Sequence, residues 1–179
     1  MRPEIFASCE CGALTFKSSE QPVVQICCHC SDCRDATQSD FSNIAFFKTY
    51  KGQVDGNIHS KFYVAESGST TQREACGACG SIMFDKSAGF PGLIGVFSAQ
   101  IQAPFKAKVN SHIWVKSKTE NTIISQEAIA YEEGLSYPAV QHRVTLLGLM
   151  GPLNRTLHPR SNLPLQTLAA LLPLTHRNK

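Results

Sequence analysis

The sequence predicts a mainly β fold, because segments with strand character recur along its first 125 residues and no helical period lasts there. In these segments β-branched and aromatic residues recur or alternate with polar ones, and glycine and proline separate them. No stretch before residue 125 keeps a 3.6-residue apolar period over ten residues. We therefore expect about eight to ten strands in this region, with the cysteine clusters in the connections.

Seven segments carry the strand pattern in chain order. They are residues 13–17, 23–27, 43–50, 61–65, 81–84, Leu93–Phe97 and 108–116. The first shows the period of two directly, because Leu14 and Phe16 alternate with polar neighbours. Further along, residues 128–133 are expected to begin a helix that Gly134 stops.

The composition divides the chain after residue 134. Residues 1–134 are expected to form one domain, whereas from Leu135 onward leucine, proline, arginine, asparagine and histidine dominate. Residues 135–179 carry five basic residues and no acidic one. We expect a basic, Leu/Pro-rich tail that is irregular or partly helical. Leucines between Pro164 and Pro173 would suit a partner-binding helix, and the alternative is a poorly ordered tail.

Charge and hydropathy argue against nucleic-acid and membrane partners. Residues 1–134 hold twelve Lys/Arg against fourteen Asp/Glu, a net charge of −2, which is unsuited to phosphate binding. The longest apolar-leaning stretch, residues 163–174, has twelve residues and two prolines, whereas a membrane helix needs about 20. The N-terminus has no apolar run of signal-peptide length. We expect a cytoplasmic protein, in which clustered cysteines favour metal over disulfides.

Two cysteine pairs far apart in the sequence predict a closed metal site. Cys9 and Cys11 precede one glycine, and Cys76 and Cys79 precede another about 65 residues later. A pair separated by two residues can bend back on one zinc ion, and the following glycine permits the turn that aims backbone N–H groups at the sulfurs. Four thiolates would complete a tetrahedral structural site. The alternative is a set of free buried cysteines.

A third cluster supplies three more thiolates within six residues. Cys28, Cys30 and Cys33 have no further cysteine elsewhere in the chain to complete them, and three protein ligands with one vacant position are typical of a reactive zinc. Two alternatives stay open. His29 or Asp32 could complete a second structural site, or the cluster could remain reduced and free of metal.

The donor set narrows the chemistry of this cluster. Three thiolates donate so much charge that zinc becomes a weaker Lewis acid than in a three-histidine site, which disfavours hydrolysis. Holding a substrate thiol as a nucleophilic thiolate suits the site better. Cys27, in an apolar segment directly before the cluster, is expected to be an inert core thiol, and the His29 side chain is expected to point away from the metal.

The ordered motifs resemble one known family. They are Cys9-x-Cys11-Gly12, Cys28-His29-Cys30-x-x-Cys33-Arg34, Arg73-x-x-Cys76-x-x-Cys79-Gly80-Ser81 and His112-Ile113-Trp114. In order and spacing this set is similar to the glutathione-dependent formaldehyde-activating enzymes, whose superfamily includes the centromere protein V relatives. The similarity runs from about residue 5 to residue 118.

The resemblance implies a β-tent fold of several small antiparallel sheets held by two zinc ions per chain. The ligands it implies are Cys9, Cys11, Cys76 and Cys79 for the structural zinc, and Cys28, Cys30 and Cys33 for the catalytic one. Arg34 and Arg73 become candidates for binding the substrate's carboxylates, with a surface or structural ion pair as the alternative. His112 and Trp114 are expected to serve mainly in packing.

The implied activity is that of a carbon–sulfur lyase. It would act on a glutathione adduct, such as S-hydroxymethylglutathione, or on the adduct of another small thiol. Two hypotheses from other classes remain: a zinc-stabilised, non-catalytic binding module that contacts a partner through its basic tail, and a thiol or metal sensor whose cysteines oxidise reversibly. The sequence makes no prediction about the oligomeric state.

Overall fold

The computed structural model describes residues 4–109 and 111–135, which form eleven strands, one α-helix and three short 3₁₀ helices. The strands are β1 (Ile5–Ser8), β2 (Thr15–Ser18), β3 (Val24–Cys28), β4 (Ser42–Lys48), β5 (Gly52–Asp55), β6 (Ile58–Val64), β7 (Thr70–Cys76), β8 (Ile82–Ser87), β9 (Leu93–Phe97), β10 (Ser111–Ile113) and β11 (Ile129–Ala130). The helix α1 spans Ser31–Thr37, and the 3₁₀ helices span Thr49–Lys51, Ser98–Gln100 and Val115–Ser117. The predicted mainly β fold is confirmed.

The described strands pair into two sheets. The smaller is antiparallel with the order β1-β2-β5, and the larger has the order β11-β10-β3-β4-β9-β8-β7-β6. In the larger sheet β10 pairs in parallel with both β3 and β11, and the other pairings are antiparallel. The grouping therefore differs from the several small antiparallel sheets expected, because β4 and β9 join what would be separate sheets into one.

Two local expectations near the end of the described chain are wrong. The segment 108–116 contains only the three-residue strand β10, because Trp114 takes a left-handed conformation (φ 59°) and turns the chain into a 3₁₀ helix. Residues 128–133 do not begin a helix. Their backbone instead bonds to the neighbouring strand, as in the Tyr131 N–H donating to the carbonyl of His112.

The predicted tail lies almost wholly outside the described residues. Residue 135 is the last one described, so the division after residue 134 and the irregular or partly helical structure of 136–179 stay predictions. None of the helices in the described part of the chain has the length and apolar character that crossing a membrane requires.

The small sheet packs against the large one through aromatic rings. Phe16 of β2 lies 5.1 Å from Phe47 of β4 and 6.0 Å from Phe84 of β8, measured between ring centroids. All three rings are fully buried. Cys9 and Cys76 belong to the same buried cluster, so the first cysteine group lies where the two sheets meet.

A second buried cluster covers the other part of the large sheet. It contains Cys28, Cys30 and Cys33 together with Phe97 of β9 and Trp114, which follows β10. The group of Cys28, Cys30 and Cys33 is therefore embedded in a hydrophobic core, whereas the first group has two buried cysteines and two exposed ones. Burial of this kind lowers the dielectric around the sulfurs and excludes water from them.

The packing between the sheets predicts a large loss of stability for Phe16→Ala. Removing a fully buried ring at this contact should lower the free energy of unfolding by about 3–5 kcal/mol, because a cavity remains. Phe62→Ala is the matched control, since Phe62 is 65% exposed on β6 and should change stability by no more than about 0.5 kcal/mol. Urea denaturation followed by circular dichroism measures both. Equal losses in the two variants would contradict the packing described.

Candidate functional site

Four cysteines from distant parts of the chain converge at the junction of the two sheets. The Sγ atoms of Cys9, Cys11, Cys76 and Cys79 all lie within 4.8 Å of one another. Two of the separations are 3.5 Å (Cys9 to Cys11) and 3.8 Å (Cys11 to Cys76). Four thiolates at about 2.3 Å from a tetrahedral zinc would be about 3.8 Å apart, so the group fits one zinc ion.

The backbone around this group is arranged to stabilise thiolates. The N–H of Leu14 donates to Cys9 Sγ at 3.2 Å, and the N–H of Ala78 donates to Cys76 Sγ at 3.4 Å. The glycine after each cysteine pair has a positive φ, 78° in the first and 75° in the second, which permits the turn. These are the turns that the spacing predicts.

A serine adds to the same effect at the exposed edge. Cys79 Sγ and Ser81 Oγ are 3.2 Å apart. This hydrogen bond, together with backbone N–H groups, lowers the pKa of Cys79 to about 6. The deprotonated form is the one that binds metal, so the exposed corner of the group is prepared for a ligand role.

The second group is formed by one strand end and the start of one helix. Cys28 is the last residue of β3, Cys30 is the N-cap of α1, and Cys33 lies within α1. Their Sγ atoms lie within 4.8 Å of one another, and all three residues are no more than 6% exposed. Among the described residues no fourth Cys, His, Asp or Glu ligand atom joins them, so neither His29 nor Asp32 completes this group.

Hydrogen bonds among the three thiols place negative charge on one of them. Cys28 Sγ donates to Cys30 Sγ at 3.5 Å. Hydrogen bonds from Cys28 and Cys33 lower the pKa of Cys30 to about 3, while the bond to Cys30 raises the pKa of Cys28. The hydrogen bonds within the group therefore favour the deprotonated form of Cys30 over that of Cys28.

Arg73 lies directly beside this group. Its guanidinium donates to the Asp32 carbonyl at 2.7 Å, to Asp85 Oδ2 at 3.0 Å and to Cys33 Sγ at 3.7 Å. The rings of Tyr63 and Phe97 flank the guanidinium, with centroids 5.1 Å and 5.8 Å from its Cζ atom. These contacts favour the alternative of a structural ion pair over a role in binding a substrate carboxylate.

The partner of Arg73 was missed at the level of sequence. Asp85 lies on β8, directly opposite Arg73 of β7 in the antiparallel register. Burial raises the pKa of Asp85, and the guanidinium opposes that rise. A predicted pairing of β7 with β8 would have indicated Asp85 as the partner of Arg73. Because β7 is polar, the sequence pattern did not predict that strand.

Arg34 is placed differently. It is half-buried on α1, and its Nε is buried without a hydrogen-bond partner among the described residues. It lines a depression of about 420 Å³ together with Asp35, Gln38, Ser39 and Asp40. The two carboxylates of this depression oppose an acidic ligand, whereas a guanidinium group can pair with one.

A larger cleft opens beside the C-terminal end of α1. It has a volume of about 770 Å³, and Thr37, Asn43, Ser81 and Gln100 supply polar groups to its wall. The Thr37 hydroxyl donates to the carbonyl of Cys33 at 3.0 Å, so the cleft begins one helical turn from the three-cysteine group. No sequence pattern pointed to this cleft.

A third set of ligand-type side chains lies near the second group. The Sγ of Cys27 is 3.5 Å from Nε2 of His29, which is 2.9 Å from Nδ1 of His112. Burial lowers the pKa of His29 to about 4 and also lowers that of His112. The packing role expected for His112 is thus accompanied by a hydrogen bond between two imidazoles.

Comparisons with known proteins agree with the cysteine motifs. Residues 4–117 match the family described as glutathione-dependent formaldehyde-activating enzyme. One similar solved structure is that of a Rhodobacter sphaeroides protein from the Northeast Structural Genomics programme. It is 20% identical, with a TM-score of 0.43, and the alignment covers 55% of this chain and 88% of that one. A search of the curated proteins found no significant match.

The buried ion pair predicts a large effect of Arg73→Met. This change leaves the carboxylate of Asp85 buried without its partner, which should lower the free energy of unfolding by about 3–5 kcal/mol. The double variant Arg73→Met/Asp85→Leu should recover most of that loss, because neither charge remains. Lys61→Met, an exposed lysine on the adjacent strand β6, is the control. Urea titration measures all four proteins, and a double variant no more stable than the single one would contradict the ion-pair account.

Proposed function

The chain belongs to the glutathione-dependent formaldehyde-activating enzyme family, and we propose that it is a zinc-dependent carbon–sulfur lyase. Its substrate would be an adduct of glutathione or of another small thiol, such as S-hydroxymethylglutathione. The observation that carries this proposal is the group of Cys28, Cys30 and Cys33, which brings three sulfurs together and has no fourth ligand among the described residues. Three protein ligands leave room for one ligand from outside.

The donor set suits zinc. Thiolates are soft ligands, and a spacing of 3.5 Å between Cys28 Sγ and Cys30 Sγ is close to the edge of a tetrahedral zinc–sulfur site, about 3.8 Å. When bound, zinc would supply a position at which a substrate thiol is held as a nucleophilic thiolate. The four-cysteine group would hold the second zinc of the chain, in a closed and structural role.

The reaction itself needs only a thiol and an aldehyde. In cleavage, the hydroxyl of S-hydroxymethylglutathione loses its proton, the carbon–sulfur bond breaks, and its electron pair returns to sulfur. Formaldehyde leaves, and the glutathione sulfur takes up a proton. In synthesis, the thiolate attacks the carbonyl carbon and the resulting oxyanion is protonated.

The protein's own residues would orient the adduct and exclude water. The three cysteines are at most 6% exposed, so the reacting sulfur would leave bulk solvent on binding. Arg73, 3.7 Å from Cys33 Sγ, places positive charge beside the thiolates and offsets part of their mutual repulsion. Its role in this proposal is therefore to position the group, and carboxylate binding passes to Arg34.

The peptide part of the adduct would occupy the cleft beside α1. A volume of about 770 Å³ lies within the usual range for small-molecule sites, and its hydroxyl and amide side chains match the amides of a tripeptide. Arg34 lines the depression that shares Ser39 with this cleft, and it would pair with a carboxylate of the adduct.

The proposal predicts that Cys30→Ser abolishes activity without unfolding the protein. Cleavage of S-hydroxymethylglutathione should fall by more than about 100-fold, because even residues outside the ligand shell change activity of metal sites by 10–100-fold. Formaldehyde release, corrected for the uncatalysed exchange, measures the rate. Ser31→Ala, an exposed neighbour in the same turn, is the control and should retain activity.

The fold and the metal content separate the outcomes of this experiment. Cys30→Ser should keep the β-rich circular dichroism spectrum and the zinc of the four-cysteine group. Undiminished turnover in this variant would overturn the assignment of the site. A wild-type protein that holds both zinc ions but turns over no thiol adduct would point instead to a binding module or a sensor.

A further inference from the structure

A second face of β3 carries metal-ligating side chains of its own. Successive residues of a strand point to opposite faces, so Cys27 and His29 face away from Cys28. His112 of β10 is the direct parallel partner of Cys27 in the register of the sheet. The backbone pairing of β3 with β10 therefore brings a thiol and two imidazoles to one face, separated from the three-cysteine group by the strand itself.

The three ligand atoms converge on one point. Cys27 Sγ, His29 Nε2 and His112 Nδ1 all lie within 4.8 Å of one another, with separations of 3.5 Å and 2.9 Å along the chain of contacts. In a tetrahedral zinc site the sulfur–nitrogen edge is about 3.6 Å and the nitrogen–nitrogen edge about 3.3 Å. The separation of 2.9 Å between the two nitrogens is shorter than that edge, so binding an ion would replace the hydrogen bond between the imidazoles.

We propose that Cys27, His29 and His112 form a third metal site that takes a late first-row divalent cation such as Zn²⁺. One thiolate and two imidazoles are a donor set that suits zinc or cobalt. On binding, the Cys27 thiol releases its proton to solvent and becomes the anionic ligand. The site is independent of the lyase chemistry, because none of its ligands belongs to the three-cysteine group.

Of the three ligand residues, only His112 offers an ion a route from the surface to the site. Cys27 is 1% exposed and His29 is 0% exposed, whereas His112 is half-buried and connects the group to the surface. The ring of Phe41 lies 5.7 Å from that of His29 and covers another side. Entry past His112 would leave the fourth coordination position on the solvent side.

A metal here would tie the end of the described chain to its beginning. The two histidines are 83 residues apart, and β10 is a strand of only three residues. Lys118 and Arg34 place positive charge near His29, which opposes a bound cation, and an anionic Cys27 ligand would offset part of that opposition. The thiolate is therefore expected to matter at least as much as either imidazole.

Metal content of the full-length reduced protein tests the proposal. The chain is stripped of metal, loaded with excess Zn²⁺, desalted and analysed by mass spectrometry of metals. We expect three zinc equivalents in the wild type and two in His112→Ala and in Cys27→Ala. His59→Ala, an exposed histidine on β6, is the matched control and should keep three.

Titration of the wild type with Co²⁺ gives a readout that does not depend on a variant: a third equivalent should bind with a charge-transfer band of single-thiolate intensity. In Cys27→Ala this band should be missing. Two equivalents in the wild type, or an unchanged count in both variants, would overturn the third site. The readout is metal content and not enzyme activity. The third site can therefore be refuted in a protein that is an active lyase, and supported in one that is not.

Discussion

The junction of the two sheets brings the sulfurs of four cysteines from distant parts of the chain within 4.8 Å of one another. Cys11 and Cys76 are 65 residues apart, yet their sulfurs lie 3.8 Å from each other where the small sheet meets the large one. Unbridged thiolates at that distance repel, and a disulfide would be far shorter. A metal ion at the centre would remove the repulsion and make the contact stabilising, so that metal binding would be coupled to folding.

The second group brings together three sulfurs instead of four, and its geometry depends on the short helix α1. The short helix α1 supplies two of its three sulfurs, and seven residues are too few for a helix to persist alone. Two contacts from strands hold it: Arg73 donates to the Asp32 carbonyl, and the hydroxyl of Ser42 donates to the carbonyl of Cys33. Within the helix, the hydroxyl of Thr37 donates to the same carbonyl. Side chains of other elements thus help to position the three sulfurs, and no fourth ligand atom among the described residues joins them.

Much of this could be predicted from the sequence because cysteine spacing is a local signal. The spacing indicated both groups, and the bounds of Leu93–Phe97 agree with β9 because that strand is continuously apolar. The polar strand β7 was missed, since its Arg73 and Glu74 are buried only through partners on β8, which no single-strand pattern reveals. The short helix α1 and the pairing of β11 with β10 likewise depend on tertiary contacts.

The central claim is that Cys28, Cys30 and Cys33 hold a metal ion with one position open to a substrate thiol. Anomalous diffraction at the zinc edge, from crystals of the zinc-loaded protein, tests it most directly. The account predicts a peak about 2.3 Å from all three sulfurs, with no fourth protein ligand around it. Absence of a peak there, or a peak whose fourth ligand is a side chain of the protein, would contradict it.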